Sequence, residues 1–282
     1  MSRVAIVTDS ASDLSVEAAA AAGITVVPLL VRFGTDEFRT GVDITLPDFY
    51  RRLTAPGAPF PTTAACSPGD FQAVFSRLLA EGAEGIVCLT VGSELSATHA
   101  AARVARDLLP GAPIEVADSH TASMALGLLA LVAAEAAAAG ASVAEIVAEV
   151  ERRRPDAIVY VALETLEYLR RGGRISAAQA AIGSVLSVKP IVTVAGGHVI
   201  TADKPRTASR ARARILDLLT ARPVERIAVL HAQAPGARDF AVELSERTGI
   251  LRSAISVGLI GPSVGPHVGP GAYGAAVLLR GG

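Results

Sequence analysis

Several kinds of chemistry are excluded by what this sequence lacks. It has only two cysteines, Cys66 and Cys88, too few and too scattered for a thiolate zinc cluster. It has no excess charge: 26 Lys and Arg stand against 27 Asp and Glu, a net of −1. That balance argues against a general electrostatic grip on nucleic acid. No apolar run is long enough to span a bilayer; the longest is Met124 to Ala134. The first residues, Met-Ser-Arg-Val-Ala-Ile-Val-Thr-Asp, hold no signal-peptide core and read as a strand, which predicts a cytoplasmic protein. The one G-x-G-x-x-G string, Gly269 to Gly274, leads into a strand pattern rather than following a strand and opening a helix, and there is no Walker A motif, so a dinucleotide site is not expected. The one G-x-S-x-G string, Gly261-Pro262-Ser263-Val264-Gly265, runs on into a glycine- and proline-rich loop rather than the helix a nucleophile elbow needs, and H-E-x-x-H zinc spacing does not occur.

A chain of 282 residues suits one large domain or two ordinary ones. Apolar residues make up 51%, but 54 of the 282 are alanine, so the remaining apolar share is that of an ordinary globular core. The first half alternates strand and helix patterns. Strands are expected over 3–8, 24–31, 85–91 and 114–117. Ser15 is placed to cap a helix that Gly23 ends. Thr45-Leu46-Pro47-Asp48 and Ser67-Pro68-Gly69-Asp70 read as helix starts, the second with a capping box. Helices are also expected from Ser93 to Leu109, along the Ala/Leu run after Ser123, and from Ser142 with Glu145. The pattern predicts an N-terminal three-layer α/β/α domain with a mainly parallel sheet, over residues 1–155.

Beyond Pro155 the pattern changes. Strands at 157–163, 226–230, 256–260 and 274–279 surround a hairpin over 190–202 turned by Gly196-Gly197. Helices fall at 165–171, 207–219 and 237–248. This predicts a C-terminal α+β domain with antiparallel pairing, over 156–282.

Five loops could carry chemistry. Asp9-Ser10-Ala11-Ser12-Asp13 follows the first strand, where α/β sheets place ligands, although a turn and helix-capping cluster is the simpler explanation. Thr62 and Thr63 precede the Ser67 helix, and their hydroxyls can face a pocket. Cys66 lies near that helix start, where thiol pKa values fall, without a histidine nearby in sequence. Ser93 and Ser96 lie between a strand and a helix, near free N–H groups that suit a carboxylate, or cap that helix. Arg170-Arg171-Gly172-Gly173-Arg174 ends a helix with two glycines that let Arg174 swing toward a site. His267 stands alone in the glycine- and proline-rich run from Gly261 to Gly271, which suits a polar or anionic contact. A serine hydrolase or transferase using Ser96 or Ser93 with His267 is the alternative reading.

Taken together, these segments resemble the DegV family of bacterial fatty-acid-binding proteins. The matching stretches are Val4-Ala5-Ile6-Val7-Thr8-Asp9-Ser10-Ala11-Ser12-Asp13-Leu14, Pro61-Thr62-Thr63, Ser67-Pro68-Gly69-Asp70-Phe71 and Leu95-Ser96-Ala97-Thr98. Asp118-Ser119, Leu169 to Ser176, Lys189-Pro190-Ile191 and His267-Val268-Gly269-Pro270-Gly271 follow in family order. The resemblance implies a two-domain α/β protein that buries one long-chain fatty acid and does no chemistry alone. It implies a separate ATP-dependent fatty acid kinase that converts the bound carboxylate to an acyl phosphate for phospholipid synthesis. It implies no cofactor, no metal, no catalytic residue and no stable membrane insertion. Carried over, Thr63 and Ser96 would hold the carboxylate, with Thr62 and Ser93 as neighbours and Arg174 and His267 nearby. The sequence departs from the family where Ala64, Ala65 and Cys66 replace the frequent Ser, Gln and Pro, Ala97 a Gly, and His99 a Tyr.

The physics suits such a carrier. A few donors fix the carboxylate, and each buried methylene contributes about 0.8 kcal/mol. The Ala/Leu helix after Ser123 could wall the tunnel or simply fill the core. Lys204, Arg206, Arg210, Arg212 and Arg214 form a local basic stretch. Arg206 and Arg210 are the expected docking contacts for the kinase, the alternative being a solvated helix face.

Overall fold

The computed structural model describes residues 3–175 and 188–281. Ser176, at the end of the arginine–glycine motif, lies outside them. The first strand, Val4–Asp9 (β1), is followed by helix Val16–Ala21 (α1), which Ser15 caps by accepting the Ala18 N–H. Strand Ile24–Val27 (β2) comes next. The apolar run does not continue to residue 31 as one strand. Pro28 supplies no N–H, so the chain breaks there and restarts in a different sheet. That second sheet holds Leu30–Phe33 (β3), Asp36–Arg39 (β4) and, after helix Leu46–Thr54 (α2), Thr62–Ala64 (β5), in the order β4-β3-β5.

Helix Pro68–Ala80 (α3) carries the expected capping box between Ser67 and Asp70. It leads to Gly85–Thr90 (β6), every residue of which is buried. The next helix, Thr98–Asp107 (α4), starts five residues later than Ser93. Ser93 is instead drawn away by the Asp118 carboxylate, which accepts its N–H at 3.2 Å. Strand Ile114–Asp118 (β7) and helices Met124–Ala138 (α5) and Val143–Arg153 (α6) complete this half, and Ser142 and Glu145 form a capping box on α6. The main sheet runs β2-β1-β6-β7 with every pairing parallel. From β1 the chain steps to β2 on one side and later to β6 on the other. The carboxyl ends of β1 and β6 therefore flank a crevice at a switch point.

Pro155 sits in a short turn before Ala157–Ala162 (β8). Helix Glu167–Arg171 (α7), strands Ile191–Ala195 (β9) and His198–Asp203 (β10), and helix Ala208–Leu219 (α8) follow. Gly196 and Gly197 turn the β9–β10 hairpin with φ of 57° and 79°, a conformation that suits glycine. Then come Val224–His231 (β11), Ala237–Thr248 (α9), Ser256–Leu259 (β12), a single turn Gly265–Val268 (α10) and Tyr273–Leu279 (β13). Their sheet runs β10-β9-β8-β13-β11-β12, antiparallel except for the parallel β11–β12 pair.

The α5 helix is the join between the two sheets. It packs on β1 and β6 and on β8 and β13. A helix with apolar neighbours all round must be apolar all round, which explains its Ala/Leu composition. Gly127 allows the close approach, since a Cβ there would lie 2.8 Å from the Ser12 carbonyl oxygen. This helix is core, and none of its residues lines the cavity described below.

Candidate functional site

A largely aliphatic cavity opens between the two sheets. Ala11, Leu29 and Val91 face it from just beyond the ends of β1, β2 and β6. Val159 and Val161 of β8, and Val192 and Val194 of β9, face it from the other side. Their alternation is the strand period that puts residues i and i+2 on one face.

The arginine–glycine motif divides its three arginines among three tasks. Arg170 pairs with Glu167 at 2.7 Å on the surface. Arg171 lies 4.0 Å from the centre of the Phe60 ring. Arg174 turns into the cavity, where its Nε donates to the Leu95 carbonyl at 3.1 Å and one Nη to the Gly172 carbonyl at 2.7 Å. Among the described residues no carboxylate pairs with it. Burial alone pulls its pKa down.

His267 reaches the same place from α10. Its Nε2 lies 2.9 Å from Thr63 Oγ1, and its Nδ1 is buried with no hydrogen-bond partner among the described residues. Burial, aided by the Arg174 charge, pulls its pKa down to about 4, so the ring is neutral near pH 7. Gly172 makes room for it, because a Cβ there would lie 2.3 Å from Nδ1.

Ser96 also lines the cavity, on the loop whose Leu95 carbonyl holds Arg174. Its Oγ accepts the Thr98 N–H at 3.3 Å and lies 2.7 Å from Thr98 Oγ1. Thr98 is fully buried and supports Ser96 from behind. Sequence reasoning passed over Thr98 as a positioning group, although the Ser-x-Thr spacing was the available signal.

Thr62 and Ser93 are not brought into the cavity. Thr62 is exposed, because neighbours on a strand face opposite ways. Ser93 is exposed and tied to Asp118. The serine–histidine pair of a hydrolase is not assembled either. Thr63, rather than Ser96 or Ser93, holds His267, and a pKa of about 4 makes that ring a weak base. Cys66 is buried beside Asp9 and Asp70, and burial pushes its thiol up to about 12 rather than down.

The glycine-rich loop that brings His267 is laced to the N-terminal half. Tyr50 Oη donates to the Ile260 carbonyl at 2.7 Å. The Gly261 N–H donates to Asp13 Oδ1 at 2.8 Å. Ser263 Oγ lies 2.8 Å from Ser10 Oγ. In sequence Asp13 and Ser10 stood out as part of a loop that could bind a ligand or form a turn, but their partners, about 250 residues away, could not be read there.

Arg206 and Arg210 are both exposed, at the start of α8. The rest of the basic stretch is partly neutralised: Arg212 pairs with Glu243 at 2.9 Å, and Arg214 pairs with Asp203 at 2.6 Å. Among the described residues no group of His, Cys, Asp and Glu could hold a metal ion, and no helix is long and apolar enough to cross a membrane.

Comparison with known proteins agrees with this architecture. A family model described as "Uncharacterised protein, DegV family" matches residues 3–280. A DegV domain-containing protein of Streptomyces coelicolor is 42% identical over 286 residues, covering 99% of this chain and 100% of the relative. The solved structure of a DegV family protein from Thermus thermophilus, described for its fatty acid binding, superposes with a TM-score of 0.88 at 34% identity, covering 98% and 99% of the two chains. DegV from Bacillus subtilis, described as a fatty acid binding protein, gives a TM-score of 0.86 at 29% identity, covering 99% and 100%. A stearic acid-binding protein from Eubacterium ventriosum gives 0.86 at 26% identity, covering 99% of each chain. With its family model matched almost end to end, this chain belongs to the DegV family.

Proposed function

We propose that this protein binds one long-chain fatty acid in the cavity between its sheets and presents the carboxylate to a separate ATP-dependent kinase. The observation that carries this reading is Arg174. A guanidinium is partly buried at the edge of an aliphatic cavity, without a carboxylate partner among the described residues. Burying an unpaired charge is costly, so such a site favours an anion with a long apolar body.

The hydroxyls around Arg174 support the same ligand. Ser96 accepts the Thr98 N–H and can accept the Thr98 hydroxyl proton, which leaves its own proton to donate. Neutral His267 can carry its proton on Nε2 and donate to Thr63, which frees the Thr63 proton in turn. That tautomer leaves the orphaned Nδ1 as an acceptor rather than as a buried unmet N–H. Two hydroxyl protons and a guanidinium then converge on one carboxylate. The valines of β8 and β9 provide an apolar wall for the chain. The fatty acids bound by the Thermus, Bacillus and Eubacterium proteins support the ligand class.

On this reading residues 1–155 and 156–282 form the two domains, with the ligand between them. The protein is a cytoplasmic carrier with no cofactor and no chemistry of its own, and acyl phosphate is made by the partner for phospholipid synthesis. Arg206 and Arg210 are the proposed docking contacts. The test is to extract purified protein with organic solvent and identify bound lipid by mass spectrometry. One long-chain fatty acid per chain is expected. Folded protein that carries no lipid, and takes none up when offered, would overturn the reading.

A further inference from the structure

The polar groups of the cavity differ in what they can offer a ligand. Arg174, Thr63 and Ser96 offer protons. Ser263 also lines the cavity, but its surroundings are different. It belongs to a closed triangle of hydroxyls. Ser10 Oγ lies 2.6 Å from Thr40 Oγ1 and 2.8 Å from Ser263 Oγ, and the third side, Thr40 to Ser263, is 3.2 Å. The Leu29 N–H donates to Ser10 Oγ at 2.8 Å.

With each side of the triangle taken as one hydrogen bond, counting protons gives what it presents. A hydroxyl donates once and accepts twice. Three hydroxyl protons serve the three sides of the triangle. Ser10 is then saturated, since it donates once and accepts from Leu29 and from one hydroxyl. Thr40 is buried and does not line the cavity. Ser263 alone shows its remaining capacity to the cavity, and that capacity is a lone pair. Nearby, Ser123 lines the cavity with its proton given to Asp13 at 2.5 Å, so it too presents lone pairs while Asp13 is ionised. A carboxylate, which only accepts, finds no donor here. A plain alkyl chain leaves the acceptor unused. A hydroxyl group on the chain fills it without breaking any existing hydrogen bond.

We propose that Ser263, held by Ser10 and Thr40, is a subsite for a hydroxyl carried on the acyl chain, so that hydroxylated long-chain fatty acids are preferred ligands. The inference rests on the fatty-acid reading above and narrows its ligand class. A net hydrogen bond of ordinary strength corresponds to roughly a fivefold gain in affinity.

The experiment measures dissociation constants by calorimetry at pH 8, where Asp13 is a carboxylate. The probes are octadecanoate and a series of monohydroxyoctadecanoates whose hydroxyl walks from the head to the tail. At least one isomer is expected to bind about fivefold tighter than octadecanoate. In Ser263→Ala the ratio between that isomer and octadecanoate should fall to about one. Should that variant not fold, Thr40→Val, which opens the triangle, should shift the same ratio. If octadecanoate binds and no isomer exceeds it, the subsite is disproved. A preference that survives unchanged in the folded Ser263→Ala variant also disproves it. If neither octadecanoate nor any isomer binds, the fatty-acid reading itself fails.

Discussion

Ser123 donates to the Asp13 carboxylate at 2.5 Å across a separation of 110 residues, and both residues hold positive φ, 58° and 54°. Ser123 combines that φ with a ψ of −153°, a region almost reserved for glycine. The strain is held by the contacts around it: the Ser123 N–H donates to the Ala11 carbonyl at 2.7 Å, and Asp13 also takes the Gly261 N–H. One carboxylate thus ties together three segments that border the cavity.

Asp13 gives the first prediction. Burial pushes its pKa up to about 7, with hydrogen bonds from Ser123 and Gly261 pulling against it and the Asp9 charge adding to it. Asp9 rises to about 6 for the same main reason. For a raised acid the folded state binds protons more tightly than the unfolded one. Stability is therefore highest when the group is protonated and falls as pH rises from about 4 towards 7. His267, lowered to about 4, contributes the opposite slope over part of that range. The informative quantity is the difference between wild type and Asp13→Asn. Urea unfolding from pH 5 to 8 should show that difference changing in the variant's favour, by at most about 1.4 kcal/mol per pH unit for one proton. A constant difference would mean that Asp13 does not titrate in this window.

Adjacent residues on β5 give the second. Thr63 faces the cavity and meets His267, while Thr62 is exposed. Thr63→Val keeps the shape and removes the hydroxyl, and should weaken fatty acid binding roughly tenfold in a fluorescence displacement titration. Thr62→Val should leave the titration within about twofold of wild type. Equal effects at both positions would argue against the hydroxyl's role.

What could be read from the sequence follows the reach of its local signals. Capping residues act within one turn, so Ser15, Ser67 and Ser142 announced their helices directly. Strand alternation with helices announced the parallel sheet, and the twin glycines announced the hairpin. The small β4-β3-β5 sheet was hidden because Pro28 sits inside a continuous apolar run and looks like part of it. The start of α4 was misplaced because Ser93 is as good a cap as any, until a carboxylate 25 residues away claims its N–H. Of the residues that line the cavity, Thr63, Ser96, Arg174 and His267 were singled out through their motifs. The support from Thr98, the cross-links of Asp13 and the closing of the Ser10–Thr40–Ser263 triangle were not legible, since each depends on a partner already in place rather than on a pattern of its own.

Gly172 offers a third prediction, in which backbone freedom plays no part. Its φ of −74° suits any residue. The His267 ring is the main obstacle to a side chain, with Nδ1 2.3 Å from the position of a Cβ and the Tyr168 carbonyl oxygen next at 3.0 Å. Gly172→Ala should push the imidazole off Thr63 and weaken fatty acid binding at least about fivefold, as expected for losing one hydrogen bond and its alignment. Calorimetry against one fatty acid, with circular dichroism to verify the fold, would check this. Unchanged affinity in a folded variant would show that the His267 contact does not matter for the ligand.

Arg174 permits a sharper chemical test. Its charge matters only if the ligand is an anion. Wild type should bind a fatty acid far more tightly than its methyl ester. Arg174→Gln keeps polarity and much of the length, so the acid should lose roughly tenfold or more and the ester little. The acid-to-ester ratio is the readout, which a general loosening of the site would not move. A ratio equal in both proteins would place the carboxylate elsewhere.

The partner surface is testable apart from the ligand. Arg206 and Arg210 are exposed, whereas Arg212 and Arg214 are engaged by Glu243 and Asp203. A docking surface needs charges that are not already neutralised, so reversal should matter at the first pair. Exposed charges steer association more than they hold a complex together, and salt screens them. Arg206→Glu with Arg210→Glu should therefore slow kinase-dependent acyl phosphate formation several-fold at low salt and much less at high salt. The lipid recovered by solvent extraction should be the same as from wild type, because neither arginine lines the cavity. If turnover with the kinase is unaffected at low salt, docking runs through another face.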